Sequence, residues 1–180
     1  MTTGVFLLVA ASLAADPAGT VPSYYEHLKA LEYFVGDWVI EGKINVEGEF
    51  TGLADIAGQP LRQQMSYVWL KNKNFLATTV RDEENSAPSY IQIIGWDPQR
   101  KQITSTDFNS QGAYLKYVHI KRDNGWVMEG TSVYPGNVEG VYRAEIKIID
   151  DKTFSHEGSG VMKQGGKKSK VTLSFVARKK

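Results

Sequence analysis

From Trp38 onward the apolar residues of this chain recur at every second position. Trp38, Ile40, Ile44 and Val46 share one side of the first such run with Gly42, while Glu41, Lys43, Asn45 and Glu47 share the other. A period of two is the mark of a half-buried β-strand. It returns in Arg62–Leu70, Phe75–Arg81, Tyr90–Trp96, Gln102–Phe108, Ala113–Arg122, Trp126–Tyr134, Val141–Ile149, Thr153–Val161 and Lys170–Arg178, with a weaker candidate at Phe50–Ala57. The separators carry turn chemistry, among them Lys71-Asn72-Lys73-Asn74, Asp97-Pro98-Gln99-Arg100, Asn109-Ser110-Gln111-Gly112, Asp123-Asn124-Gly125 and Gln164-Gly165-Gly166. These links are too short for helical crossovers, so successive strands are expected to pair as hairpins. A meander of about ten strands closes most economically into a barrel, which leaves no free edge. The expected fold is all-β, an antiparallel up-and-down barrel of about ten strands.

Ahead of the strands the period is helical. Tyr24, Leu28, Leu31 and Phe34 or Val35 fall on one stripe. Ser23-Tyr24-Tyr25-Glu26 matches a capping box at its start, and Gly36 is placed to end it. One short amphipathic helix is expected, suited to lie against a barrel end. Further upstream, Val5 to Ala15 is uncharged and apolar, well short of the ~20 residues that a membrane-crossing helix needs. Small residues at Ser12-Leu13-Ala14 and Ala15 match a signal-peptidase site, although residues 1–4 carry no Lys or Arg. The reading is a signal peptide over 1–14, a linker over 15–22 and a single barrel domain over 23–180, in a secreted or periplasmic protein. The alternative for the apolar run is a buried N-terminal strand or helix.

The last three strands show which face is wet. Tyr142, Ala144, Ile146 and Ile148 oppose Arg143, Glu145 and Lys147; Phe154, His156, Gly158 and Gly160 oppose Ser155, Glu157 and Ser159. Val171, Leu173, Phe175 and Ala177 oppose Lys170, Thr172, Ser174 and Arg178. A transmembrane barrel needs the reverse, an apolar outside over a polar lumen, so the chain is not expected to span a membrane. Lys and Arg total 21 against 20 acidic residues, a formal charge of +1. No basic excess points to nucleic acid. The absence of cysteine from the 180 residues removes disulfides, thiolate metal sites and thiol nucleophiles from consideration.

Gly36-Asp37-Trp38 after a short helix resembles the Gly-x-Trp opening of calycins, the lipocalin-like superfamily. The run Ile93-Ile94-Gly95-Trp96-Asp97-Pro98, followed by Ile103, Asp107-Phe108 and Gly112, resembles more specifically the bacterial domain of unknown function (DUF) 1579 family. The similarity spans roughly Leu28 to Arg178. It implies a lipocalin-like barrel, often secreted, with no established activity. It also implies that Trp38 closes the barrel floor, with Arg178 as its candidate cation–π partner.

Among the candidate chemistries, the aromatics on alternating positions stand first. Tyr67, Trp69, Tyr90, Trp96, Tyr117, Trp126 and Tyr142, joined by His156, are the candidate lining for a small apolar or aromatic ligand. Such residues also serve simply as core. The nitrobindin branch of the superfamily binds haem through a C-terminal barrel histidine, which would make His156 the axial ligand here. This chain lacks that branch's alternating glycines after the tryptophan, and an ordinary interior histidine is the competing reading. Three dispersed histidines form no ligand-spaced metal cluster. Asp37, Asp97 and Asp107 lie at strand ends, where an isomerase- or hydrolase-like enzyme could place a general base. Asp97 and Asp107 read first as turn formers, and no catalytic residue is assigned.

Overall fold

The computed structural model describes residues 23–48, 57–58, 60–83 and 87–180. The leader over 1–14, the 15–22 linker and most of the Phe50–Ala57 strand candidate lie outside these residues. Ten antiparallel strands follow one another around a closed barrel, each paired with its sequence neighbours and β10 returning to β1. They are β1 (Gly36–Gly48), β2 (Pro60–Trp69), β3 (Phe75–Asp82), β4 (Tyr90–Asp97) and β5 (Gln102–Asn109), then β6 (Tyr114–Arg122), β7 (Gly125–Tyr134), β8 (Val138–Asp150), β9 (Thr153–Gln164) and β10 (Lys167–Lys179). The all-β expectation holds, and β8, β9 and β10 run longer than the alternation alone suggested. Turn chemistry holds too: Asp97 Oδ1 accepts the backbone N–H of Gln99 and Arg100, and Asn109 Oδ1 accepts those of Gln111 and Ala113.

The faces sort as alternation requires. Closure sets Trp38 opposite Lys179, Ile40 opposite Ala177 and Gly42 opposite Phe175. Arg143 on the outside pairs with Glu129 and Glu145, both half-exposed. Among the described residues no helix is long and apolar enough to cross a membrane.

The N-terminal element is less regular than the stripe predicted. A single α-turn, α1 (Tyr25–Leu28), runs on as a 3₁₀ segment, Lys29–Phe34. Leu28, Leu31 and Phe34 are buried. The capping box does not form: Ser23 Oγ accepts the Tyr25 N–H at 3.2 Å, and Glu26 turns instead to Lys29. What holds the element is the barrel end beneath it. Tyr24 N donates to Asn74 Oδ1 in the β2–β3 turn at 2.7 Å, and the Tyr33 hydroxyl lies 2.9 Å from the carbonyl oxygens of Asp150 and Thr153. Trp69 Nε1 donates to Glu32 Oε2 at 2.7 Å, and His27, though exposed, stacks on Trp96 at 4.1 Å.

Trp38 is fully buried, and its Nε1 donates to the Phe34 carbonyl at 2.7 Å, so it joins the floor to the lid. Arg178 is not its partner. That side chain lies on the outer face and reaches Glu41 Oε2 at 3.1 Å. The cation over the Trp38 ring is Lys179 Nζ, 5.3 Å from its centroid. The reason is parity, since the residue cross-strand from Trp38 is Lys179 and its neighbour must face the other way.

Candidate functional site

The inner positions of β3, β4 and β5 are not all apolar. Register places Thr78 opposite Gln92, and Gln92 opposite Asp107, with Ser105 two positions along β5. All four are buried, Asp107 completely. They form one network: the Tyr90 hydroxyl donates to Asp107 Oδ2, Gln92 Nε2 donates to the same oxygen at 3.0 Å and to Ser105 Oγ at 3.3 Å, and Thr78 Oγ1 donates to Gln92 Oε1 at 3.4 Å. Asp107 Oδ1 has no hydrogen-bond partner. Burial pushes the Asp107 carboxyl up to about 6, against hydrogen bonds from Tyr90, Ser105 and Gln92 that favour the ionised form. Tyr67, Tyr90 and Tyr117 surround the group. Burial raises each of their hydroxyls above the usual phenol range, and the Asp107 charge adds to the effect.

Two neutral histidines stand elsewhere on the inner wall. His156 Nε2 lies 3.0 Å from the Tyr142 hydroxyl, and its ring stacks on Phe175 at 4.6 Å. Burial lowers it to about 4. Tyr142 thus engages that nitrogen, and Phe175 covers one face of the ring. His119, also lowered by burial to about 4, leaves Nε2 without a partner. Trp126 Nε1, on the adjacent strand, is likewise unpaired, while Lys121 Nζ sits 5.2 Å from its ring centroid.

Glycines make room for the inner rings. A Cβ on Gly130 would come within 2.4 Å of the Tyr117 ring, and one on Gly158 within 1.8 Å of the Tyr142 hydroxyl. Both tyrosines therefore lie flat against the opposing backbone, where only hydrogen leaves space.

The structure divides the eight candidate lining residues. Tyr67, Tyr90 and Tyr117 gather around Asp107; Tyr142 and His156 form their own pair; Trp126 is inside with an unpaired N–H. Trp69 and Trp96 are lid contacts under Glu32 and His27 instead. The sequence reading held Asp107 as a strand-end position for a general base or a turn former, and did not place it on the ligand-lining wall. The signal was present, because Ile103, Ser105 and Asp107 share a parity and that parity is inward. Thr78 and Gln92 carried no signal beyond the same alternation. Among the described residues no hydrogen bond joins an inner carboxylate to an inner imidazole, and no three of His, Asp and Glu converge on a metal position. Two surface concavities, about 320 and 410 Å³, lie at the β7–β8 and β9–β10 turns and on the outer wall beside Arg143, and neither is lined by Asp107.

No family model matches the chain, and no curated protein does either. Among solved structures it is similar to the S-type phycobiliprotein lyase CPES of Guillardia theta, with 11% identity over 85% of this chain and 92% of that one and a TM-score of 0.52. At this identity the likeness shows the barrel fold alone. A redesigned beta barrel, mFAP1, bound to DFHBI overlaps more loosely, with 16% identity over 80% of this chain and 96% of that one and a TM-score of 0.29.

Proposed function

We propose that this protein binds a small, largely aromatic or apolar ligand on the inner wall of its barrel and performs no catalysis. The observation that carries the reading is the set of three inward polar atoms without partners, Asp107 Oδ1, His119 Nε2 and Trp126 Nε1. Each unsatisfied buried group costs about 1–3 kcal/mol, so such atoms in a folded interior call for a partner. Polar atoms waiting on an aromatic wall are what a binding site requires. The motif resemblance to the DUF 1579 barrels and the signal-peptide pattern over 1–14 support a secreted or periplasmic carrier.

Native mass spectrometry of the protein purified from its own host tests the binding. The expected spectrum shows a small adduct that is lost on denaturation and appears in the released fraction. A bare polypeptide mass with nothing released overturns the reading. The same spectrum reports the N-terminus, expected near Ala15.

A further inference from the structure

We propose that the cluster around Asp107 is a subsite for a cationic nitrogen, so that the ligand of this barrel is a small amine or ammonium compound carrying an apolar or aromatic group. This rests on the ligand-binding reading above and names the chemistry of that site. Asp107 is a fully buried carboxylate, and among the described residues no Lys or Arg pairs with it. Tyr90 and Gln92 from β4 bond it, Ser105 and Thr78 bond Gln92 beside it, and Tyr67 from β2 and Tyr117 from β6 lie near enough to feel its charge. Every one is uncharged at neutral pH. Tyr90 and Gln92 donate to Oδ2, and Oδ1 has no partner.

A lone carboxylate in such a place has lost its water without gaining a counter-ion. The penalty is several kcal/mol, and a cation delivered to the open oxygen offsets it in a way that a neutral donor cannot. The three tyrosines suit the same guest. Ring faces attract cations through their quadrupole, and a carboxylate among aromatic rings is a recurring means of holding amines and ammonium groups. An anionic ligand would meet direct repulsion. A neutral one would leave the charge uncompensated. Since burial already holds the carboxyl near 6, a bound ammonium lowers that value, and acid that protonates Asp107 releases the ligand.

The probes are benzylamine and its neutral counterpart benzyl alcohol, titrated calorimetrically into the full-length protein at neutral pH. Benzylamine is expected to bind and benzyl alcohol to bind at least about tenfold more weakly. Asp107→Asn, which keeps the shape and removes the charge, is expected to weaken benzylamine by about a hundredfold and to leave benzyl alcohol unchanged. A second readout needs no variant: the Asp107 carboxyl carbon, followed by NMR through a pH titration, is expected to titrate at lower pH once benzylamine is added. Equal binding of the two probes, insensitive to Asp107→Asn, overturns the amine assignment and leaves barrel binding standing. Failure of both probes, together with a bare polypeptide in the native spectrum, overturns both readings. An Asp107 titration unmoved by saturating benzylamine overturns the subsite by itself.

Discussion

Trp38 shows how one side chain can serve two layers. Its ring closes the barrel while its N–H anchors the Phe34 carbonyl of the lid, so truncation removes a large core volume and a buried hydrogen bond together. Its cation is chosen by strand parity alone. Lys179 lies over the ring, whereas Arg178, one residue earlier, meets Glu41 in solvent. Arg178→Ala is therefore expected to change stability by no more than about 0.5 kcal/mol, as exposed ion pairs do. Lys179→Ala is expected to cost about 1 kcal/mol through the lost ring contact. Urea unfolding of the two variants side by side checks this, and equal midpoints would show that the Lys179 contact with the Trp38 ring adds no stability.

The N-terminal element holds by docking. A four-residue α-turn with a 3₁₀ continuation is too short to be stable alone, and its buried residues are those that meet the barrel. Glu32 is the latch, accepting from Trp69 Nε1 at 2.7 Å and from the Tyr25 hydroxyl at 3.1 Å, with Lys73 Nζ at 3.5 Å. Glu32→Ala is expected to speed amide exchange across Tyr25–Phe34 by about tenfold while strand amides keep their protection. Uniform acceleration through the strands would show instead that lid and barrel open as one unit. Within the sheet, Gly158 is the point where β9 admits the Tyr142 ring from β8. Gly158→Ala is expected to destabilise by about 1–3 kcal/mol through overpacking. Combining it with Tyr142→Leu should cost less than the sum of the two, because the clash disappears with the hydroxyl. Thermal or urea unfolding of the double-mutant cycle measures the difference.

For the molecule as a whole, three buried groups weigh on the acid response, beside the lowered carboxyls of Glu32 and Asp97. His119 and His156 are held near 4 in the fold, against 6.5 in the open chain. Their stabilisation is present above 6.5 and is lost as pH falls toward 4. Asp107 runs the other way, from 3.8 in the open chain to about 6 in the fold, so its contribution is present below 3.8 and lost as pH rises through 6. Near pH ~5 unfolding takes up nearly two protons on the histidines and releases nearly one from Asp107. The ligand-free protein is expected to lose about 1.4 kcal/mol per pH unit of acidification there, and Asp107→Asn about twice as much. Urea midpoints of both proteins across this range decide it. A variant with a slope no steeper than the parent would mean that Asp107 is not held protonated by the fold.

Local periodicity by itself determined a meander of about ten strands, their order, their inward and outward faces and the presence of a short helix ahead of them. Each of these follows from residues one or two positions apart, and hairpin links leave little freedom in how such strands meet. That Trp38 lies inside was equally legible from its parity, and the structure buries it completely; a floor role came only from the calycin resemblance. Which residues share a site was decided only by tertiary structure. Thr78, Gln92 and Asp107 sit on three strands, and barrel curvature and register bring them together with Tyr67 and Tyr117 from two more. Asp107 at a strand end and Asp107 alone in an apolar interior are the same letter in the sequence. Only the closed wall around it removes the water that would otherwise hold its charge.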